Sequence, residues 1–193
     1  TGARPFSLAW CDQDGLRGSV RANVCPKTRR VTWGECALRE ARQVLDSPGP
    51  KVFYNAGFDL NMLQAAGLAI RGEVHDAWLM AHVATAGGEQ SYGLKPLCAK
   101  LFDYSQDDRN KLETQVKARR REVQAKGWTV SKGGDSKTAH LSDFWLADDK
   151  LLRQYNENDV ERVALLVKLL VPVLEVDRGM LATYRAELEL MEV

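Results

Sequence analysis

The chain opens with short apolar runs and later changes to a helical rhythm. Phe6 to Trp10 is one run, and Leu16 to Val24 is a second. Asp14-Gly15 stands between them and predicts a β-hairpin, because its tight turn needs positive φ. Residues 32–45 predict a helix with Leu38, Ala41, Val44 and Leu45 on one face, and Thr32 with Glu35 has capping-box spacing. A third run, Lys51 to Tyr54, stops at Asn55. The next helix ends at Gly67. Residues 73–84 predict a short strand that turns into a helix near Asp76, which is expected to cap it. Residues 91–102 predict a helix capped by Ser91, with Leu94, Leu97, Cys98 and Leu101 inward. From Asp148 and Asp149 a long amphipathic helix runs on until Pro172 kinks or ends it. The last helix repeats at seven, with Leu174, Leu181 and Leu188 on one row and Tyr184 and Met191 on another. That stripe is expected to be exposed in this chain alone and to need a partner. Strands first, then helices alternating with short strands, predict an α/β sandwich with a mixed sheet.

Residues 104–147 break the pattern. They predict a charged helix, a polar loop and an anchor at Phe144-Trp145-Leu146. From Arg109 to Lys137 there are nine Lys or Arg against three Asp or Glu. Elsewhere charge is balanced: the formal net charge is +1, so no global field announces nucleic acid. Apolar content of 45% and charged content of 27% are those of a soluble globular domain. Cys11, Cys25, Cys36 and Cys98 are scattered without metal-ligand spacing, which fits a reducing compartment. No apolar run reaches the roughly 18 residues of a membrane span, so no membrane partner is expected and the cytoplasm is the expected location.

Two short constellations carry candidate chemistry. Asp59 stands just past a strand at the start of a helix, four residues after Asn55. An acid there also suits the helix dipole, so alone it indicates little. Tyr155 and Asp159 lie one turn apart on the long late helix, at the edge of its apolar stripe. A tyrosine at a core rim above an exposed acid is the plain alternative.

Taken together, strand–Asn55-x-x-x-Asp59–helix followed by a helix with Tyr155-x-x-x-Asp159 resembles the 3′–5′ exonuclease superfamily of ribonuclease H-like fold. "VHDAWLMAHV", "SYGLKPLCAKLF" and "LLRQYNENDVERVALLV" are similar to the proofreading domain of family A DNA polymerases, particularly phage-type enzymes. The resemblance implies a mixed sheet flanked by helices over residues 1–171, a lineage-specific insertion at about 104–147, and a connecting helix over 172–193 toward a polymerase domain. It implies hydrolysis of phosphodiesters at a single-stranded DNA 3′ end with two Mg²⁺ or Mn²⁺ ions, in a bacterial or phage-infected cell. Asp59 and Asp159 would be metal ligands, and Tyr155 would orient the attacking water. Asn55 and Phe58 would contact the substrate strand. Arg119, Arg120 and Arg121 could track a phosphate backbone, although exposed basic helices often bind nothing. Arg153 and Arg162, beside the Tyr-Asp pair, are further phosphate candidates.

The family's site needs four carboxylates, two of them from Asp-x-Glu on a first strand. No Asp-x-Glu precedes Asn55. Thr1-Gly2 fits the end of the turn after that strand, so the strand is expected upstream of residue 1. Asp12-x-Asp14 mimics the pair, but Gly15 and a further strand follow at once, as in a hairpin. This chain alone is therefore expected to show little or no nuclease activity. The alternative is a catalytically inactive scaffold or DNA-guiding domain of the polymerase. A free-standing ribonuclease of the same superfamily is a third reading, disfavoured by the apolar stripe of the last helix.

Overall fold

The computed structural model describes residues 5–105, 107–128, 130–131 and 139–191, with backbone only for 139–142. Thr1-Gly2 and nearly all of the expected polar loop lie outside these residues. The first strands are β1 (Ser7–Cys11) and β2 (Arg17–Arg21), antiparallel, with Ser7 opposite Arg21 and Cys11 opposite Arg17. Asp12 Oδ1 accepts from the backbone N–H groups of Asp14 and Leu16, and Gly15 has φ +86°. Asp12-x-Asp14 is thus hairpin chemistry. A short antiparallel pair follows, β3 (Asn23–Val24) with β4 (Val31–Thr32).

Helix α1 (Glu35–Leu45) buries Ala41 and Leu45 against Val20, Leu63 and Leu68. Its N-cap is Gly34, with no side-chain cap bond, because Thr32 is committed to β4. The capping-box expectation is corrected on that ground. Strand β5 (Lys51–Phe53), helix α2 (Ala56–Ala65) and strand β6 (Val74–Asp76) form a βαβ unit, with β5 parallel to β6. Gly72 precedes β6 with φ +96°, and a Cβ there would lie 2.7 Å from the Gly49 carbonyl oxygen. Backbone cannot yield as a flexible side chain can. Gly72→Ala is expected to lower stability by about 1–3 kcal/mol in urea denaturation; an unchanged midpoint would contradict this close approach.

Three helices follow: α3 (Ala77–Ala84), α4 (Leu94–Phe102) and α5 (Asp107–Ala125). Helix α4 begins after Gly93 rather than at Ser91, whose hydroxyl accepts from the Gly93 N–H. Leu97 and Cys98 face inward as expected, whereas Leu101 is exposed. Residues 139–146 form two short 3-10 turns that meet at a kink at Asp143, and Trp145 in the second is buried, giving the insertion its expected anchor.

Helix α6 (Asp149–Val176) runs through Pro172 without ending. Pro172 faces solvent while Leu170 and Leu174 on either side are buried, so packing outweighs the lost backbone bond. The expected break at 171/172 therefore lies inside one helix. Asp177 ends α6 and accepts from the Gly179 and Met180 N–H groups to start α7 (Arg178–Leu190). Helix α7 packs on α3 and α6, burying Tyr184, with Leu181, Leu188 and Met191 half-buried around it. The stripe expected to be exposed finds its partner within this chain. Val176 and Leu190 are the apolar residues that remain most exposed near it.

The architecture is mixed α/β, but among the described residues the strands make three separate pairs rather than one sheet. Helix α6 packs against β1, β2, α3, α4, α5 and α7. No helix among the described residues is long and apolar enough to cross a membrane.

Candidate functional site

The βαβ crossover is fastened by a buried carboxylate. Asp76, fully buried at the end of β6, accepts from the backbone N–H groups of Asn55 and Ala56 and from those of Trp78 and Leu79. It caps α3 as expected and also holds the start of α2. Asn55 takes a left-handed conformation, φ 67°, which turns the chain sharply out of β5 into the helix. Asn55 and Phe58 are exposed at this end of α2.

Asp59 is half-buried on the first turn of α2 and has no hydrogen-bond or ion-pair partner among the described residues. Burial, and then the negative charge of Asp76, push its carboxyl up to about 6. A carboxylate left desolvated and unpaired is poorly placed for stability, the usual mark of a group with another task.

Asp59 and Asp159 line the same cavity, of about 680 Å³. Residues of β1 and of β5 line it, together with Val160, Val163, Ala164 and Val167 of α6. Among the described residues β1 pairs only with β2, and β5 only with β6, so each has an unpaired edge.

Tyr155 and Asp159 sit on α6 as the four-residue spacing requires, but their surroundings differ from expectation. Lys95 of α4 is buried, with Nζ 2.5 Å from Asp159 Oδ1, 3.4 Å from Asp108 Oδ2 and 4.2 Å from the Tyr155 ring centroid. Arg162 is 1% exposed and bridges the same acids, at 2.7 Å to Asp159 and 2.8 Å to Asp108. It also donates to the Ser105 carbonyl and lies over the Tyr104 ring, so it cannot reach a phosphate. Burial and then the Asp159 charge raise the Tyr155 hydroxyl above its ordinary range. It stays protonated, so its hydroxyl keeps a proton to donate. Its ring packs edge-on against Phe144 of the insertion.

The three arginines of α5 have different surroundings. Arg119 pairs with Glu122 at 3.0 Å on the surface. Arg120 turns inward to fully buried Asp143, which also accepts from Arg29, the Ser131 N–H and Trp145 Nε1. Arg120 thus holds the insertion together. Arg121 is exposed. Arg153 is exposed too, and lines a second cavity together with Arg119.

Lys95, Asp108 and Arg162 escape a reading by apolar period. One signal was available: Asp159 and Arg162 fall in the same helical row as buried Leu152, Leu166, Leu170 and Leu174. Charges in such a row must be paired.

The residues present do not make a divalent-metal site by themselves. No group of three or more His, Cys, Asp or Glu among the described residues is arranged to hold an ion. Asp59 stands alone, and Asp159 already carries two cations. Comparison with protein-family models, curated proteins and solved structures returns no match to this chain.

Proposed function

We propose that this chain is a metal-dependent 3′–5′ exonuclease (proofreading) region of a DNA polymerase, acting on a single-stranded DNA 3′ end. The observation that carries the reading is that two acids a hundred residues apart, Asp59 and Asp159, line one cavity with residues of β1 and β5. A ribonuclease H-like mixed sheet would result if an extended segment joined β1 to β5. Asp-x-Glu on that segment would add two carboxylates beside the two already there, the hard-oxygen set that suits Mg²⁺ or Mn²⁺. Tyr155 would donate a hydrogen bond, and Asn55 and exposed Phe58 would meet the strand end. The chain alone is then inactive.

The test adds such a segment. The polypeptide extended at its amino end by an apolar strand bearing Asp-x-Glu should degrade a 3′-labelled single strand in Mn²⁺. Asp59→Ala or Asp159→Ala in that polypeptide should reduce the rate by about a thousandfold or more, the scale of losing a main transition-state contact. Degradation unaffected by both substitutions would remove the site.

A second reading, an inactive scaffold or DNA-guiding domain, is favoured by the cations already on Asp159. Both readings leave exposed Arg121 for DNA. Arg121→Gln should lower the salt slope of single-strand binding by about one. Fluorescence anisotropy across salt concentrations measures it; an unchanged slope makes Arg121 plain solvated surface.

A further inference from the structure

We propose that the insertion builds a second binding site, a cleft that takes the single-stranded DNA leading into the Asp59/Asp159 cavity; the identity of the ligand rests on the exonuclease reading. The cleft is the second cavity, of about 840 Å³, between the carboxyl half of α5, the β2–β3 segment and the first turns of α6. Ser7 of β1 and Asn156 of α6 line both cavities, so the two adjoin. A ligand that reaches from one into the other is a chain rather than a compact small molecule.

Helix α5 presents Arg119, Glu122, Val123 and Lys126 to the cleft, three and four residues apart as one helical face requires. Gly127, with φ +74°, ends the helix: its N–H donates to the Gln124 carbonyl, and the Trp128 N–H donates to the Val123 carbonyl. That closure folds the chain back at Trp128, which lines the cleft half-buried. A flat aromatic side chain there suits an unstacked base. Lys126 and Arg153 are exposed on the same cleft and have no ion-pair partner among the described residues. Arg119 and Arg21 are answered by Glu122 and Asp149. Asp148 accepts from the Lys150 and Leu151 N–H groups at the start of α6, which leaves Glu40 of α1 as the acid that opposes a phosphate. Open cations beside an aromatic face are the components of a groove that holds a single strand by its phosphates and bases.

Fluorescence anisotropy of a fluorescein-labelled single-stranded oligothymidylate tests the cleft on the unaltered chain, with no added strand and no metal ion. Trp128→Ala should weaken binding about tenfold and leave the salt slope unchanged. Lys126→Gln and Arg153→Gln should each flatten the slope by just under one, and Glu40→Gln should tighten binding severalfold. Lys111 is also exposed on α5 but lines neither cavity, so Lys111→Gln should leave the slope as it is. No binding by the unaltered chain, full binding by Trp128→Ala, or a Lys111→Gln effect equal to that of Lys126→Gln overturns the proposal. Any of these beside Asp59-dependent degradation by the strand-extended polypeptide leaves the exonuclease reading standing. Trp128-dependent binding without degradation by that polypeptide overturns the exonuclease reading and leaves the cleft as a DNA-guiding site. Should Trp128→Ala not fold, the Trp128 indole N–H resonance of the unaltered chain decides: it should move upfield as the oligothymidylate binds, and a stationary resonance contradicts the stacking.

Discussion

Arg162→Met is expected to destabilise the folded chain by about 3–5 kcal/mol, the scale of removing one partner from a buried ionic cluster. The guanidinium is 1% exposed and joins Asp108 of α5 to Asp159 of α6. Methionine has comparable length but leaves two acids with only Lys95 between them. Against a typical total of about 5–15 kcal/mol, such a loss unfolds a large fraction of molecules on modest warming. Asp108→Leu combined with Arg162→Met should cost less than the separate losses predict, since one stranded charge is gone. Urea denaturation measures both. A single-variant loss under about 1 kcal/mol would show that the cluster does not tie the insertion to the core.

Asp59→Asn should do the opposite and stabilise the chain above neutral pH. The ordinary aspartate value is 3.8, and in the folded chain burial and Asp76 push Asp59 up to about 6. Between those values the folded state holds a proton that the unfolded state has released. Stability therefore falls as pH rises through this window, and the whole cost is present above it. Two pKa units correspond to about 3 kcal/mol. A neutral amide escapes the cost, so the variant should gain about 2–3 kcal/mol at alkaline pH and lose the slope between about pH 4 and about pH 6. Urea midpoints across pH test this; equal stability of the two chains at high pH would mean that Asp59 is well solvated. In the strand-extended polypeptide the same substitution should remove nuclease activity, so stability and function pull in opposite directions at this residue.

Local signals made much of the fold legible. Asp14-Gly15 fixed the hairpin, and the step from Val52-Phe53 to a helical period placed Asp59 at a strand's end. What escaped was long-range. Thr32 has a capping-box spacing, yet β4 claims it. Pro172 reads as a break, but buried Leu170 and Leu174 carry the helix past it. The stripe on α7 announces a need for a partner without saying that α3 and α6 of the same chain supply it. At the candidate site, periodicity places Tyr155 and Asp159 on one face and nothing more. Lys95 lies among the apolar positions of α4, and Asp108 lies 51 residues before Asp159 in a segment read as surface. Their meeting is a property of packing.

The sheet expectation shows the same division. Strands β1, β2, β5 and β6 were readable and β4 was not, but whether β1 and β5 join depends on what lies between them. Here they remain unpaired with each other, and residues of both line a cavity of about 680 Å³.

The most direct test is Mn²⁺ broadening of aspartate side-chain carboxyl resonances in the polypeptide extended by an Asp-x-Glu strand. At substoichiometric Mn²⁺ the carboxyl carbons of Asp59 and Asp159 should broaden together, ahead of Asp76 and Asp143. If only one of the pair broadens, or neither does, the two acids do not share an ion and the nuclease reading fails.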